Sequence, residues 1–199
     1  VVVSRGLTGY FALVACLHLV PPFQESPSSF GTTGPDGGGH PSDVAVNVVD
    51  GEIYVLETVY HRICVFDMNG NPLRTIGREG AGDCEFSWPN GLYFDPATSL
   101  LLVADYDNNR VQVIRPAGSG TVVRQFGRCG PTDQQLSLPT GVAMHPVTRH
   151  IFVCECSNHR IQVFNEEGIY QYQIGMPGEV CGPYRLCIDN VADEVFVAD

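Results

Sequence analysis

Val59-Tyr60-His61-Arg62-Ile63-Cys64-Val65-Phe66 returns as Asp107-Asn108-Asn109-Arg110-Val111-Gln112-Val113-Ile114 and again as Ser157-Asn158-His159-Arg160-Ile161-Gln162-Val163-Phe164. Three copies of one alternating stretch make the chain a repeat protein, and the repeat governs the fold. Working outward, each copy opens on a proline (Pro41, Pro89, Pro139, Pro183) and carries an acid sixteen residues later (Glu57, Asp105, Glu155, Asp199). An arginine follows the acid by five residues in the first three copies, and a glycine, Gly77, Gly127 or Gly175, closes each of these. The proline, acid and arginine never slip against one another, while the distances to and from the glycine vary. Fixed strands with variable loops behave in this way.

Within a copy, apolar residues come in short bursts divided by turn residues. The first copy has Val44-Ala45-Val46, Ile53-Tyr54-Val55-Leu56, Ile63-Cys64-Val65-Phe66 and Leu73-Arg74-Thr75-Ile76, broken at Asp50-Gly51, Val59-Tyr60 and Asn69-Gly70. This predicts an antiparallel meander of four strands and no helix. Such a sheet has two faces to cover and cannot cover them alone, so radial stacking of copies follows. The expected fold is all-β, a β-propeller of four-stranded antiparallel blades. Blades are expected at about 41–88, 89–138 and 139–182, with a partial one at 183–199.

The stretch Ser157 to Phe164, preceded by Leu138-Pro139-Thr140-Gly141-Val142-Ala143 and followed by Tyr172-Gln173-Ile174-Gly175, resembles an NHL repeat. Asp105 to Val111 and Glu57 to Ile63 resemble it too, although Tyr60 stands where the motif has asparagine. The resemblance runs over 39–199 and implies a six-bladed propeller. With about three and a third blades, and an end at Phe196-Val197-Ala198-Asp199 inside a predicted strand, the sequence reads as a fragment.

Residues 1–38 carry no clear copy. The apolar run Tyr10 to Val20 after Arg5 has the length of a signal-peptide core and is too short to span a membrane. Against that, Phe30-Gly31 sits where the other copies place Ile76-Gly77, which is the mark of a degenerate blade. Both readings stand, and Glu25 to Gly39 is loop under either.

All 11 basic residues are arginine, and 22 acids bring the net charge to −11. Such a surface repels phosphate backbones, so nucleic acid is an unfavourable partner. The in-phase arginines Arg74, Arg78, Arg124 and Arg128 read as solvated edge-strand charge. Of the eight cysteines, Cys64, Cys154, Cys156 and Cys187 fall in predicted strands and act as small hydrophobes. No Cys-x-x-Cys and no Asn-x-Ser/Thr occurs, which points toward a reducing compartment such as the cytoplasm.

The pairs Glu57 with Arg62, Asp105 with Arg110 and Glu155 with Arg160 recur in every complete copy, so a task shared by every blade is expected of them: an ion-pair network across the turn between second and third strands. Recognition is expected instead at the rim built from the post-proline residues Asp43, Asn90, Thr140 and Arg185 and the turn residues Tyr60, His61, Asn108, Asn109, Asn158 and His159. These vary between blades and suit a protein or peptide partner without chemistry, metal or cofactor. Two alternatives come from the resemblance. Peptide-amidating lyases of this type place metal-binding histidines just after the opening proline, where this chain has Ser42, Asn90, Thr140 and Tyr184. Ubiquitin-ligase-like relatives use such propellers to bind RNA.

Overall fold

The computed structural model describes residues 2–4, 41–175 and 180–199, which contain strands, turns and no helix. Apart from 2–4, the N-terminal stretch and its two readings lie outside the described residues. A short strand β1 (Val2–Ser4) is followed by β2 (Pro41–Asn47), β3 (Glu52–Glu57), β4 (Arg62–Asp67) and β5 (Pro72–Ile76). A linker with the two-residue strands β6 (Arg78–Glu79) and β7 (Glu85–Phe86) leads to β8 (Pro89–Asp95), β9 (Leu100–Asp105), β10 (Arg110–Arg115) and β11 (Thr121–Phe126). The third set is β12 (Pro139–Met144), β13 (Ile151–Glu155), β14 (Arg160–Phe164) and β15 (Tyr170–Ile174), and β16 (Arg185–Asp189) and β17 (Glu194–Ala198) end the chain. Three four-stranded antiparallel sheets result, each a meander in chain order, and β1 joins β16 and β17 by running parallel to β17.

The register explains the constant spacing. Glu57 pairs directly with Arg62, Asp105 with Arg110 and Glu155 with Arg160, so five residues is the reach of one hairpin turn. Glu57, Asp105 and Glu155 also pair with Pro41, Pro89 and Pro139, with a register shift just after each proline. A slip of one residue would turn every apolar side chain to the wrong face.

Every residue of β9 and β13 is buried, because a blade between two others has no solvent face. In β9, Leu101 and Val103 pack with Tyr54, Leu56 and Ile63 of the first blade, whereas Leu100, Leu102 and Ala104 pack with Val142, Met144 and Ile151 of the third. The outer strand β11 alternates exposed and half-buried residues. Between blades, the linker turns on a left-handed glycine: Gly77, Gly127 and Gly175 have φ of +89°, +94° and +94°. A Cβ there would strike Phe86, Leu136 or Val180, the apolar residue that the linker folds back over the seam. Only glycine meets both demands.

Candidate functional site

At the turn between second and third strands, the acid and arginine form the centre of a wider network. Arg110 Nε donates to Asp105 Oδ2 at 2.8 Å, Nη1 to Gln125 Oε1, and Nη2 to the Gly82 and Glu85 carbonyls of the preceding linker. Arg160 repeats this with Glu155, Gln173 and the carbonyls of Thr132 and Gln135. The second carboxylate oxygen accepts the N–H of Ser87 in one blade and Ser137 in the next. Gln112 and Gln162, two residues past each arginine, donate to the same acids and to the linker carbonyls of Glu85 and Gln135. Sequence reasoning missed these glutamines, although Gln at that position recurs in two of three copies; the first has Cys64, whose Sγ donates to Glu57 at 3.2 Å. Burial, then the bond to Glu57, pushes that thiol up to about 11.

Several residues expected at the recognition rim are engaged inside the blades. Asn108 Nδ2 donates to Asp105 and the Gly80 carbonyl, and Asn158 Nδ2 to Glu155 and the Gly130 carbonyl. One position later, His61 Nδ1, Asn109 Oδ1 and His159 Nδ1 accept the N–H of Trp88, Leu138 and Gly182, the residues just before the next opening proline. These three turn residues stitch each blade to its successor, and all adopt positive φ, at 53°, 54° and 52°. Buried polar atoms are satisfied in this way because an unmade bond costs the desolvation of the group. Tyr60 lies against Arg62, whose guanidinium sits 5.0 Å from its ring centre.

The arginines expected as solvated edge charge divide. Arg74 grips Glu52 with two bonds and donates to the Pro116 carbonyl of the next blade, and Arg124 donates to the Glu166 carbonyl of the blade after its own. Both are ties across a seam, which corrects the sequence reading; Arg78 pairs with Glu85 on the surface and Arg128 is exposed. Cys156, expected in a strand, opens the turn after β13 instead.

At the end where the inner strands begin, residues from all four blades converge. Gly91 and Gly141 stand two residues after their prolines because the next blade starts against them: a Cβ on Gly91 would lie 2.7 Å from the Thr140 carbonyl, and one on Gly141 3.1 Å from that of Tyr184. The first and last blades carry Asp43 and Arg185 at this register. Asp43 accepts the N–H of Val44 and of Leu92, and Arg185 Nε lies 3.8 Å away. Burial raises its carboxyl above the usual range, against the pull of Arg185 and these two N–H groups. Thr140 Oγ1 donates to the Pro183 carbonyl, and Asn90 Nδ2 donates to the Tyr184 hydroxyl at 3.2 Å. Among the described residues Asn90 Oδ1 is buried without a partner. Two aromatic side chains stand open here: Trp88 is 46% exposed, edge-on to His61, and Tyr184 is 48% exposed under the Arg185 guanidinium.

The repeat geometry is that of a known module. The NHL repeat matches residues 39–66, 86–114 and 136–164. The chain carries three NHL repeats. Each match spans an opening proline, its acid and its arginine, so the NHL unit is the blade core described above. Hydrazine synthase of Kuenenia stuttgartiensis has the same fold over 78% of this chain and 40% of its own, at 13% identity and a TM-score of 0.61. A streptogramin B lyase is similar over 85% of this chain and 50% of its own, at 14% identity and a TM-score of 0.61. A chain of the nidogen/laminin complex is similar over 73% and 51%, at 17% identity and a TM-score of 0.57. The NHL chain thus spans about half or less of the solved structures it matches, and identities this low show the fold alone. No curated protein matches it by sequence.

The metal implied by the lyase resemblance does not suit this end of the NHL domain. Its post-proline donors are Ser42, Asn90, Thr140 and Tyr184, and the Arg185 cation stands among them. Among the described residues no group of three or more His, Cys, Asp or Glu side chains could hold a metal ion.

Proposed function

We propose that the chain is a non-catalytic recognition platform that binds a protein or peptide at the end where its inner strands begin. The observation that carries this reading is the pair of half-exposed aromatics, Trp88 and Tyr184, each beside an opening proline and each held rigid by a neighbour, His61 or Arg185. Rigid aromatic side chains anchor interfaces because they bury much area with little loss of conformational freedom. Asp43 and Asn90 supply the polar floor, whereas buried Thr140 and the amides of Asn108 and Asn158 stabilise the blades that carry it.

A displayed random-peptide library tests the reading. Binders selected on the wild type should lose at least ten-fold affinity on Trp88→Ala and on Tyr184→Ala, with both variants still unfolding cooperatively in urea. Binders indifferent to both substitutions would remove the recognition face from this end, and an RNA pool bound tightly at physiological salt would move the function to nucleic acid.

A further inference from the structure

The Arg185 guanidinium sits in a ring that the repeat itself builds. Nη1 donates to the carbonyls of Thr140 at 2.8 Å and Tyr184 at 3.0 Å, and Nη2 to those of Ser42 at 2.9 Å and Asn90 at 2.8 Å. These four are the residues directly after Pro183, Pro139, Pro89 and Pro41, so one register position in each of four blades aims its carbonyl at one point. Asp43 adds a carboxylate, with Oδ2 3.8 Å from Nε, and the Tyr184 ring lies 4.7 Å below the guanidinium carbon. Carbonyl acceptors, an opposite charge and an aromatic face together are what a guanidinium requires. A second observation points the same way: Asn90 Oδ1, on a side chain nine-tenths buried beside Tyr184, has no donor among the described residues. The site therefore has more acceptor capacity than Arg185 fills.

We infer that the axial carbonyl ring is a guanidinium receptor occupied in cis by Arg185, and that the ligand it takes in trans is an arginine-bearing peptide. A blade forms without a side chain at this position, since the equivalent residue is Gly91 in the second blade and Gly141 in the third. Arg185 thus acts as a tethered ligand that competes with an external one, and a competing arginine gains the unfilled Asn90 acceptor as well. The trans ligand rests on the recognition reading of this end, while occupancy by guanidinium does not.

Arg185→Gly empties the ring. Its thermal midpoint should fall below that of the wild type and return with millimolar methylguanidinium, saturably, but not with tetramethylammonium or calcium chloride. Absent restoration, or equal restoration by the other cations, overturns the receptor. If the variant does not fold unaided, refolding with and without methylguanidinium gives the same two outcomes. A Gly-Arg-Gly amide peptide should bind Arg185→Gly at least ten-fold more tightly than the wild type, and equal affinity overturns the cis occupancy. Restoration by methylguanidinium with Trp88→Ala leaving library binders intact would keep the receptor and remove the recognition face; the reverse pattern would do the opposite.

Discussion

Arg110→Ala tests the acid–arginine network most directly. Asp105 is fully buried and the Arg110 side chain is 11% exposed, so truncation leaves a carboxylate without its countercharge. Breaking a buried pair by removing one partner costs about 3–5 kcal/mol. The structure lowers that figure, because Asp105 keeps the Ser87 N–H, the Asn108 amide and the Gln112 amide. The Glu85 carbonyl likewise keeps Gln112, and exposed Gly82 and Gln125 return to water. A loss of about 2–3 kcal/mol is expected, against less than about 0.5 kcal/mol for exposed Arg128→Ala. Urea melts suit the measurement, since the single tryptophan, Trp88, lies at the seam and reports on it by fluorescence. If the cost lies in the orphaned carboxylate, Asp105→Asn placed on Arg110→Ala should recover about 1–2 kcal/mol relative to additivity. Additive losses, or an Arg110→Ala loss no larger than that of Arg128→Ala, would refute the reasoning.

Asn108→Ala with Asn158→Ala should destabilise the chain by about 1–3 kcal/mol per site in urea, because each removes a donor from a buried acid; an unshifted melt would return both residues to the surface. Burial raises the Asp95 carboxyl, but its bonds from Arg149, Thr98 and the Ala97 N–H outweigh that and hold it below the ordinary 3.8. Its contribution is then complete above the unfolded value and is lost as pH falls through the lowered folded one, so the stability gap between wild type and Asp95→Asn should be flat at neutral pH and shrink below about pH 4. A gap that widens in acid would reverse the sign. With iodoacetamide, exposed Cys129 and Cys181 should react well before Cys64, Cys84 and Cys154, whose thiols burial raises; peptide mass mapping against time reads the order.

What could be read from sequence follows the range of the interactions involved. Strand order, register and the acid–arginine pairing are local, since one hairpin turn separates Asp105 from Arg110 and the repeat prints that distance three times. Gln112 and Gln162 escaped because they join a local motif to a linker 27 residues earlier, and the first copy breaks the pattern with Cys64. The ties from Arg74 and Arg124 reach 42 residues ahead, into the turn of the following blade, so an alternating strand pattern alone reads them as solvent-facing. At the axis the limit is plainest. Arg185 meets carbonyls 45, 95 and 143 residues away, and only the stacking of four blades brings them together. The variability that marks a recognition rim in sequence also describes turn residues that keep one bond and change the atom making it, as His61, Asn109 and His159 do.

The alternation along β9 separates two kinds of neighbourhood. Leu101 and Leu102 share a peptide bond, yet the first belongs to the core with Tyr54 and the second to the core with Ile151. A cavity at one should therefore be felt across the seam on its own side, and scarcely by the residue next to it in the chain. Covariation between positions should follow the same division, linking 101 to 54 and 102 to 151 while leaving 101 and 102 free to drift apart. Each blade then evolves under two independent constraints, one from each flank, and exchange of a whole blade succeeds or fails according to which two flanks it meets.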